Sequence, residues 1–435
     1  MKEYVMILSD TLEELAVEPK DRPLNAYRQP KTDIVKSLIA EVLAQAKQYE
    51  EHFELRKRGR RAVDQAIFER IVTTVICDLI HAHLSTPFRK LYVSLSKRTD
   101  NKIKRYTPKS FGNTLPDVLK CLSSNELNFI VMEKGYQGFF GTGRQTTIKA
   151  GARLISRIES FGIELSDLGQ DINQETIILK RAKDGHWDGG EWLDYEDNAT
   201  TNKYRHEMYR INDWLSKADI SCGILESDKV VDELDRLLRR TFNRGSFESG
   251  GRLFGGFWQG LKKADRASCM LINGEPVATL DYSQTAPKIA YSMAGVTPPT
   301  TDAYSIPLYD NPKLRKSVKK VFNSLIYSDK PISRFPQGTR DEFDRRVKFA
   351  HLMDKIEEVH KPISHLFGTG IGLKIMFIES QILVKALLDC IDNNIVALPV
   401  HDALIIPESD IDKTRIIMLK AFKDITGIDG QVEQE

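Results

Sequence analysis

Two apolar runs that each deliver an aspartate constrain this chain more than any other feature. Pro276-Val277-Ala278-Thr279-Leu280 follows the turn Asn273-Gly274-Glu275 and ends at Asp281, so it reads as a buried strand carrying a carboxylate at its C-terminal end. Ile395-Val396-Ala397-Leu398-Pro399-Val400 and Ala403-Leu404-Ile405-Ile406 bracket His401-Asp402, which predicts a hairpin. A hairpin with no other task favours Asn-Gly or Asp-Gly at its turn, because those residues tolerate positive φ, and His-Asp is poor turn chemistry. Aspartates also cap ordinary turns, so neither residue decides anything alone. Together they are the hard oxygen ligands that two divalent ions about 3.5–4 Å apart require in phosphoryl transfer.

A third segment supplies the opposite charge. Arg315, Lys319, Asn323 and Tyr327 recur every fourth residue from Leu314 to Tyr327, and a helix aligns them on one face while Val318, Val321, Leu325 and Ile326 turn inward. Two cations at one end suit phosphate oxygens, and a polar residue and an aromatic ring at the other suit sugar and base. Taken alone, such a stripe is more often a solvated face.

The three pieces, in this order, resemble motifs A, B and C of the superfamily that joins family A DNA polymerases to the phage-type single-subunit RNA polymerases. Motif A is carried by Asp281-Tyr282-Ser283-Gln284-Thr285-Ala286, motif B by Arg315, Lys319 and Tyr327, and motif C by His401-Asp402. Gly250-Gly251-Arg252, then Trp258-Gln259-Gly260-Leu261 and Arg266, resemble the segment before motif A. The resemblance covers roughly residues 245–435 and implies an α+β right-hand polymerase: a palm with a small antiparallel sheet, compact helical fingers and a helical thumb. It implies that Asp281, Asp402 and the Tyr282 backbone carbonyl hold two Mg²⁺ ions, with Mn²⁺ as a substitute. It gives Arg315 and Lys319 the triphosphate, Tyr327, Asn323, Gln284 and Ala286 the nucleotide pocket, and His401, Arg252 and Arg266 the primer and template. The implied partners are nucleoside triphosphates and nucleic acid, as DNA template or primer-template.

Departures from the family pattern carry information too. Ala286 stands where the DNA enzymes carry a glutamate that crowds a ribose 2′-hydroxyl, and Asn323 where they usually have Phe or Tyr. Ala286 points to acceptance of ribonucleotides, and Asn323 to a sugar-discrimination surface unlike that of an ordinary replicase. Ser328 stands where the family usually has Gly.

The first half is not explained by these motifs. Residues 31–85 carry apolar spacing for two core helices. Helices are predicted around Leu115–Leu122 and Asn125–Val131, followed by a Gly-rich hairpin through Gly135–Ile148 that bears Arg144, and this order suggests a winged-helix-like module. Ile177–Arg181 reads as a strand, Gly185–Tyr195 as Gly- and Trp-rich, and Thr200–Ala218 as a polar helix, with helices near 200–240 assigned to the thumb. The expected divisions are 1–100, a helical N-terminal region; 101–175, the winged-helix-like module; 176–245, a thumb-like connector; and 246–435, the palm and fingers core.

Charge is nearly balanced, with 63 basic and 61 acidic residues, but Leu55–Arg61 and Lys102–Tyr106 are basic clusters suited to phosphate contact. The five cysteines, Cys77, Cys121, Cys222, Cys269 and Cys390, have no paired spacing, which argues against zinc and for a reducing compartment. No apolar run reaches membrane-spanning length, and no N-terminal segment resembles a signal peptide, so a cytoplasmic protein, nucleoid-associated in a prokaryotic or phage setting, is expected. Three alternatives stay open: a family A-like DNA polymerase of a phage, plasmid or mobile element without proofreading; a template-independent terminal transferase; and a non-catalytic winged-helix nucleic-acid-binding protein with a vestigial palm.

Overall fold

The structure is a computed structural model that describes residues 21–86, 89–95, 105–136, 138, 143–183, 188–223 and 231–435. The chain divides into two compact units, Met1–Gln174 and Glu175–Glu435, and both mix helices with mainly antiparallel sheets.

In the first unit, α1 (Asp33–His52) buries Val35, Leu38, Ile39, Val42 and Ala46, the i, i+3, i+4 stripe that its sequence predicts. Helix α2 (Ala62–Ser85) buries residues on nearly every side from Phe68 to Ala82, as befits the central helix of this unit. Strands β1 (Arg22–Pro23), β3 (Leu91–Val93), β5 (Thr146–Ala150) and β4 (Ile130–Glu133) form a sheet in that order, while β2 (Arg28–Pro30) pairs with β6 (Leu168–Gln170). Helix α3 (Leu115–Leu122) forms where expected, and α4 (Ala152–Phe161) follows β5.

The helix expected around Asn125–Val131 does not form. Asn128 takes φ +48° and breaks the segment, and Ile130 and Val131, β-branched residues that favour the pleated sheet, pair instead with Ala150 and Lys149. The Gly-rich hairpin has antiparallel arms, continued by a Tyr136–Arg144 bridge. Its tip lies outside the described residues, as do Lys102, Lys104 and the stretch Gly185–Trp187.

The second unit holds two sheets. In one, β11 (Ser246–Phe254), β10 (Arg239–Asn243), β7 (Ile177–Lys180) and β8 (Trp192–Leu193) lie in that order, so strand pairing runs across residue 245. In the other, β14 (Leu398–Val400), β15 (Ala403–Pro407), β13 (Glu275–Tyr282), β12 (Met270–Ile272) and β9 (Ile220–Cys222) are all antiparallel, and β16 (Val432–Gln434) also pairs with β13. The β12–β13 turn is Asn273-Gly274 with φ +54° and +76°, the positive-φ pair that a two-residue hairpin favours.

Helix α5 (Ala199–Lys217) matches the expected polar helix, but the described residues from 218 to 240 are strands and irregular segments rather than further helices. Arg239–Asn243 alternates buried and half-buried positions, the period of a strand, and that pattern overrides the helical assignment made for 200–240. Helices α6 (Lys263–Cys269), α7 (Thr285–Met293), α8 (Pro312–Tyr327), α9 (Phe349–Val359), α10 (Gly372–Asp392) and α11 (Ile411–Thr426) complete the unit. Helix α10 packs against β11, α5, α7 and α11. Among the described residues, no helix is long and apolar enough to cross a membrane.

Candidate active site

The two aspartates meet because of strand register. Asp281 lies opposite Ala403 in the β13–β15 ladder, which makes Asp402 the neighbour of its cross-strand partner. His401-Asp402 is the two-residue turn between β14 and β15, and His401 takes φ +58°, a left-handed conformation that a β-carbon disfavours. The strained turn is anchored from below: the Trp258 indole Nε1 and the Gln259 amide Nε2 both donate to the Pro399 carbonyl at 3.0 Å.

Asp281 is electrostatically uncomfortable. Its Oδ1 is buried without a hydrogen-bond partner. Burial, then Asp402, then Glu435 push its carboxyl up to about 7, and Lys319 pulls it back. Asp402 accepts only a long contact, 3.5 Å from the Thr285 hydroxyl to Oδ2. Two nearby carboxylates, one with an orphaned oxygen, are a donor set that a divalent cation would relieve, and this chemistry fits Mg²⁺. Among the described residues no group of three or more His, Cys, Asp or Glu side chains forms a metal cage, so such an ion would draw its remaining ligands from substrate and water. The Tyr282 carbonyl accepts from the Thr285 hydroxyl at 3.3 Å, while its phenol is buried and donates to the Met418 carbonyl at 2.7 Å.

Helix α8 starts where Asn311 caps it, its side chain accepting from the Lys313 amide, with Pro312 in the first turn. Val318, Val321, Phe322, Leu325 and Ile326 are buried, so Arg315, Lys319, Asn323 and Tyr327 share the other face as predicted. The Arg315 guanidinium binds both oxygens of Asp302, with Nη2–Oδ1 at 3.2 Å, and its centre lies 5.3 Å from the Tyr304 ring centroid. Lys319 lies 5.8 Å from the same centroid. Asn323 has a buried Oδ1 with no partner. Tyr327 is partly exposed, and a β-carbon on Gly372 would come within 2.2 Å of its ring, so only glycine at the start of α10 lets the ring lie there.

The remaining expected residues are placed less openly. Gln284 is the α7 N-cap with φ +57°, and its amide oxygen accepts from the Ala303 backbone at 2.6 Å. Ala286 is buried in the apolar core of the unit at 8% exposure. His401 is exposed. Arg252 is committed to a protein partner, Glu379, at 2.9 Å, and Arg266 donates to the Leu261 carbonyl at 2.7 Å.

Glu379 escaped the sequence reading. It sits inside α10 among apolar neighbours, almost fully buried, and burial pushes its carboxyl up to about 7, with Arg252 opposing and Asp402 adding to the rise. The available signal was the one acid in the apolar run Ile375–Leu388. The structure also brings together two cysteines that spacing did not pair: Cys222 and Cys269, one on β9 and the other just before β12, have sulfurs 2.8 Å apart.

Comparison with known proteins adds little. No protein-family model matches the chain. No curated protein matches it either. Among solved structures, it is similar to the POL domain of Pol1 from M. smegmatis, determined in complex with DNA primer-template and dNTP, at 12% identity and a TM-score of 0.32. That overlap covers 94% of this chain and 66% of the other, just under two thirds of its length. It assigns no residue and no subdomain.

Proposed function

We propose that the second unit is a nucleotidyltransferase that adds nucleoside monophosphates from triphosphates to a 3′-hydroxyl, directed by a template and tolerant of ribonucleotides. The observation that carries this reading is the Asp281–Asp402 pair, set by strand register, with an orphaned buried oxygen and the Lys319 charge nearby. In a right-hand layout, the β9–β16 sheet is the palm and α8 with α9 the compact fingers.

Asp281, Asp402 and the Tyr282 carbonyl would hold Mg²⁺. When bound, the metal lowers the pKa of the attacking hydroxyl and offsets charge on the phosphates. The 3′-oxygen forms its bond to the α-phosphorus as the bond to pyrophosphate breaks. Arg315 and Lys319 bind the β- and γ-phosphate oxygens and offset the charge on the departing pyrophosphate. Asp302 holds the Arg315 guanidinium in one plane until the phosphates arrive. Tyr327, seated on Gly372, covers one side of the nucleotide, and the unpartnered Asn323 Oδ1 supports contact with a sugar hydroxyl. A glutamate in place of Ala286 would also bury a charge in the core, so Asn323→Leu is the cleaner probe of sugar choice. It is expected to lower the preference for ribonucleotides by about tenfold, the effect of one hydrogen bond to a hydroxyl.

The deciding experiment is extension of a labelled primer, with and without template, in Mg²⁺ and either four rNTPs or four dNTPs, beside Asp402→Ala. Template-dependent extension with rNTPs that vanishes in the variant supports the proposal. Extension with dNTPs alone gives the DNA-polymerase reading, template-free tailing the terminal transferase, and no extension the binding protein.

A further inference from the structure

The first unit carries a surface that the catalytic reading does not use. The last turn of α1 presents Tyr49, His52 and then Phe53, with the Tyr49 and Phe53 ring centroids 4.6 Å apart and His52 edge-on to Phe53 at 4.8 Å. Phe53 is 45% exposed. These rings line a cleft of about 670 Å³ whose opposite wall is Arg153 and Arg157 of α4. Gln45 accepts from Arg153 at 3.0 Å and Glu41 from Arg157 at 2.8 Å, which fixes both guanidinium groups at the cleft wall.

Past Phe53 the chain runs into Arg56-Lys57-Arg58, all three exposed and with no ion-pair partner among the described residues. Arg60 holds this basic segment in place. Its guanidinium bonds Glu50 at 2.6 Å and lies 3.8 Å from the Phe68 ring centroid, with only 8% of the side chain exposed. Glu126 is the one acid in the cleft lining, beside Arg153 and Arg157, and Arg157 is paired with Glu41, so the unpaired positive charge comes from Arg56-Lys57-Arg58, which follow Phe53 in the chain.

We propose that this cleft binds single-stranded nucleic acid. Exposed rings offer stacking platforms that any base can use, and the adjacent cations follow a phosphate backbone. A duplex keeps its base faces stacked internally and cannot use the rings, so the unpaired strand is the form that fits. No residue of the Gly-rich hairpin lines this cleft, and binding there does not require the second unit to be an enzyme.

The test uses the full chain in EDTA with a fluorescent oligo-dT or oligo-U of about 12 nucleotides, within the length that one such groove spans. Anisotropy is compared for wild type, Phe53→Ala, Lys57→Ala and a control at an exposed position of α11, Ile416→Ala, with thermal melting to verify folding. Phe53→Ala is expected to weaken binding about tenfold, the loss of one stacked base. Lys57→Ala should lower the salt slope by about 0.7, the share of one phosphate contact on a single strand. Ile416→Ala should bind as wild type, and binding of a duplex of equal length should not respond to Phe53→Ala. Photo-cross-linking of an iodouracil-substituted oligonucleotide should mark the peptide containing Tyr49–Phe53. Wild-type affinity in Phe53→Ala, with cross-links confined to residues 175–435, overturns the proposal in favour of a protein occupant.

Discussion

Two aspartates in this molecule live in opposite circumstances. Asp78, on α2 in the first unit, is fully buried and fully answered: Arg22 binds both of its oxygens at 2.7 and 2.8 Å, the Asn25 amide donates at 2.6 Å, and Arg28 lies at 3.7 Å. Asp281 in the second unit is half-buried, with one buried oxygen unanswered and another carboxylate for company. A carboxylate that ties a fold together recruits cations and amides from its own chain, because an unpaired buried charge is costly. One held for a ligand keeps that deficit open until the ligand arrives. The contrast predicts that the two residues respond in opposite ways to the same substitution.

The largest expected effect is on activity. Asp402→Ala or Asp281→Ala should reduce primer extension at least on the order of 10³-fold, the upper end of what one electrostatic contact to a transition state contributes. Both variants should keep wild-type melting temperatures or exceed them. Asp78→Ala should do the reverse, lowering stability by about 3–5 kcal/mol because it strands buried cations, as read by urea denaturation. Equal destabilisation by Asp78→Ala and Asp281→Ala would erase the distinction.

The pH dependence of stability sharpens the point. Because the Asp281 carboxyl is raised from 3.8 to about 7, the folded state keeps a proton that the unfolded chain has lost between those values, and its contribution to stability falls as pH rises through that window. Asp281→Asn, which mimics the protonated acid, should therefore gain stability over wild type from about pH 4 to 7 and hold that gain above it. In EDTA at pH 8 we expect about 1–2 kcal/mol, below the full linkage value because the half-buried group meets solvent. Mg²⁺ should shrink the difference, and a gain that is flat with pH would count against the electrostatic account. The smallest effect marks the floor. Lys36→Ala breaks an exposed pair with Asp33 at 2.8 Å and should leave the urea midpoint unchanged.

Much of the architecture was legible in the sequence because it follows from periodicity. The strand ending at Asp281, the hairpin around His401-Asp402 and the helices α1, α2, α3, α5 and α8 all announce themselves by apolar spacing and turn residues. Reading failed where local patterns were ambiguous. Asn125–Val131 carried enough apolar residues for a helix, but its pairing with β5 was a non-local decision. The expectation of further helices up to residue 240 failed for a similar reason, since β10 is held between β7 and β11.

For the site, the sequence by itself determined the chemical inventory: two acids on apolar arms, and a helix face with Arg315, Lys319, Asn323 and Tyr327. Those are properties of residue type and spacing, which the chain carries before it folds. Only tertiary structure decided that strand register makes Asp402 the neighbour of Asp281's partner, that Glu379 occupies Arg252, that Gly372 makes room for Tyr327 and that Cys222 meets Cys269. Each of those joins residues far apart along the chain. Their encounter depends on how layers pack and which atoms are shut away from water, and local sequence does not encode that.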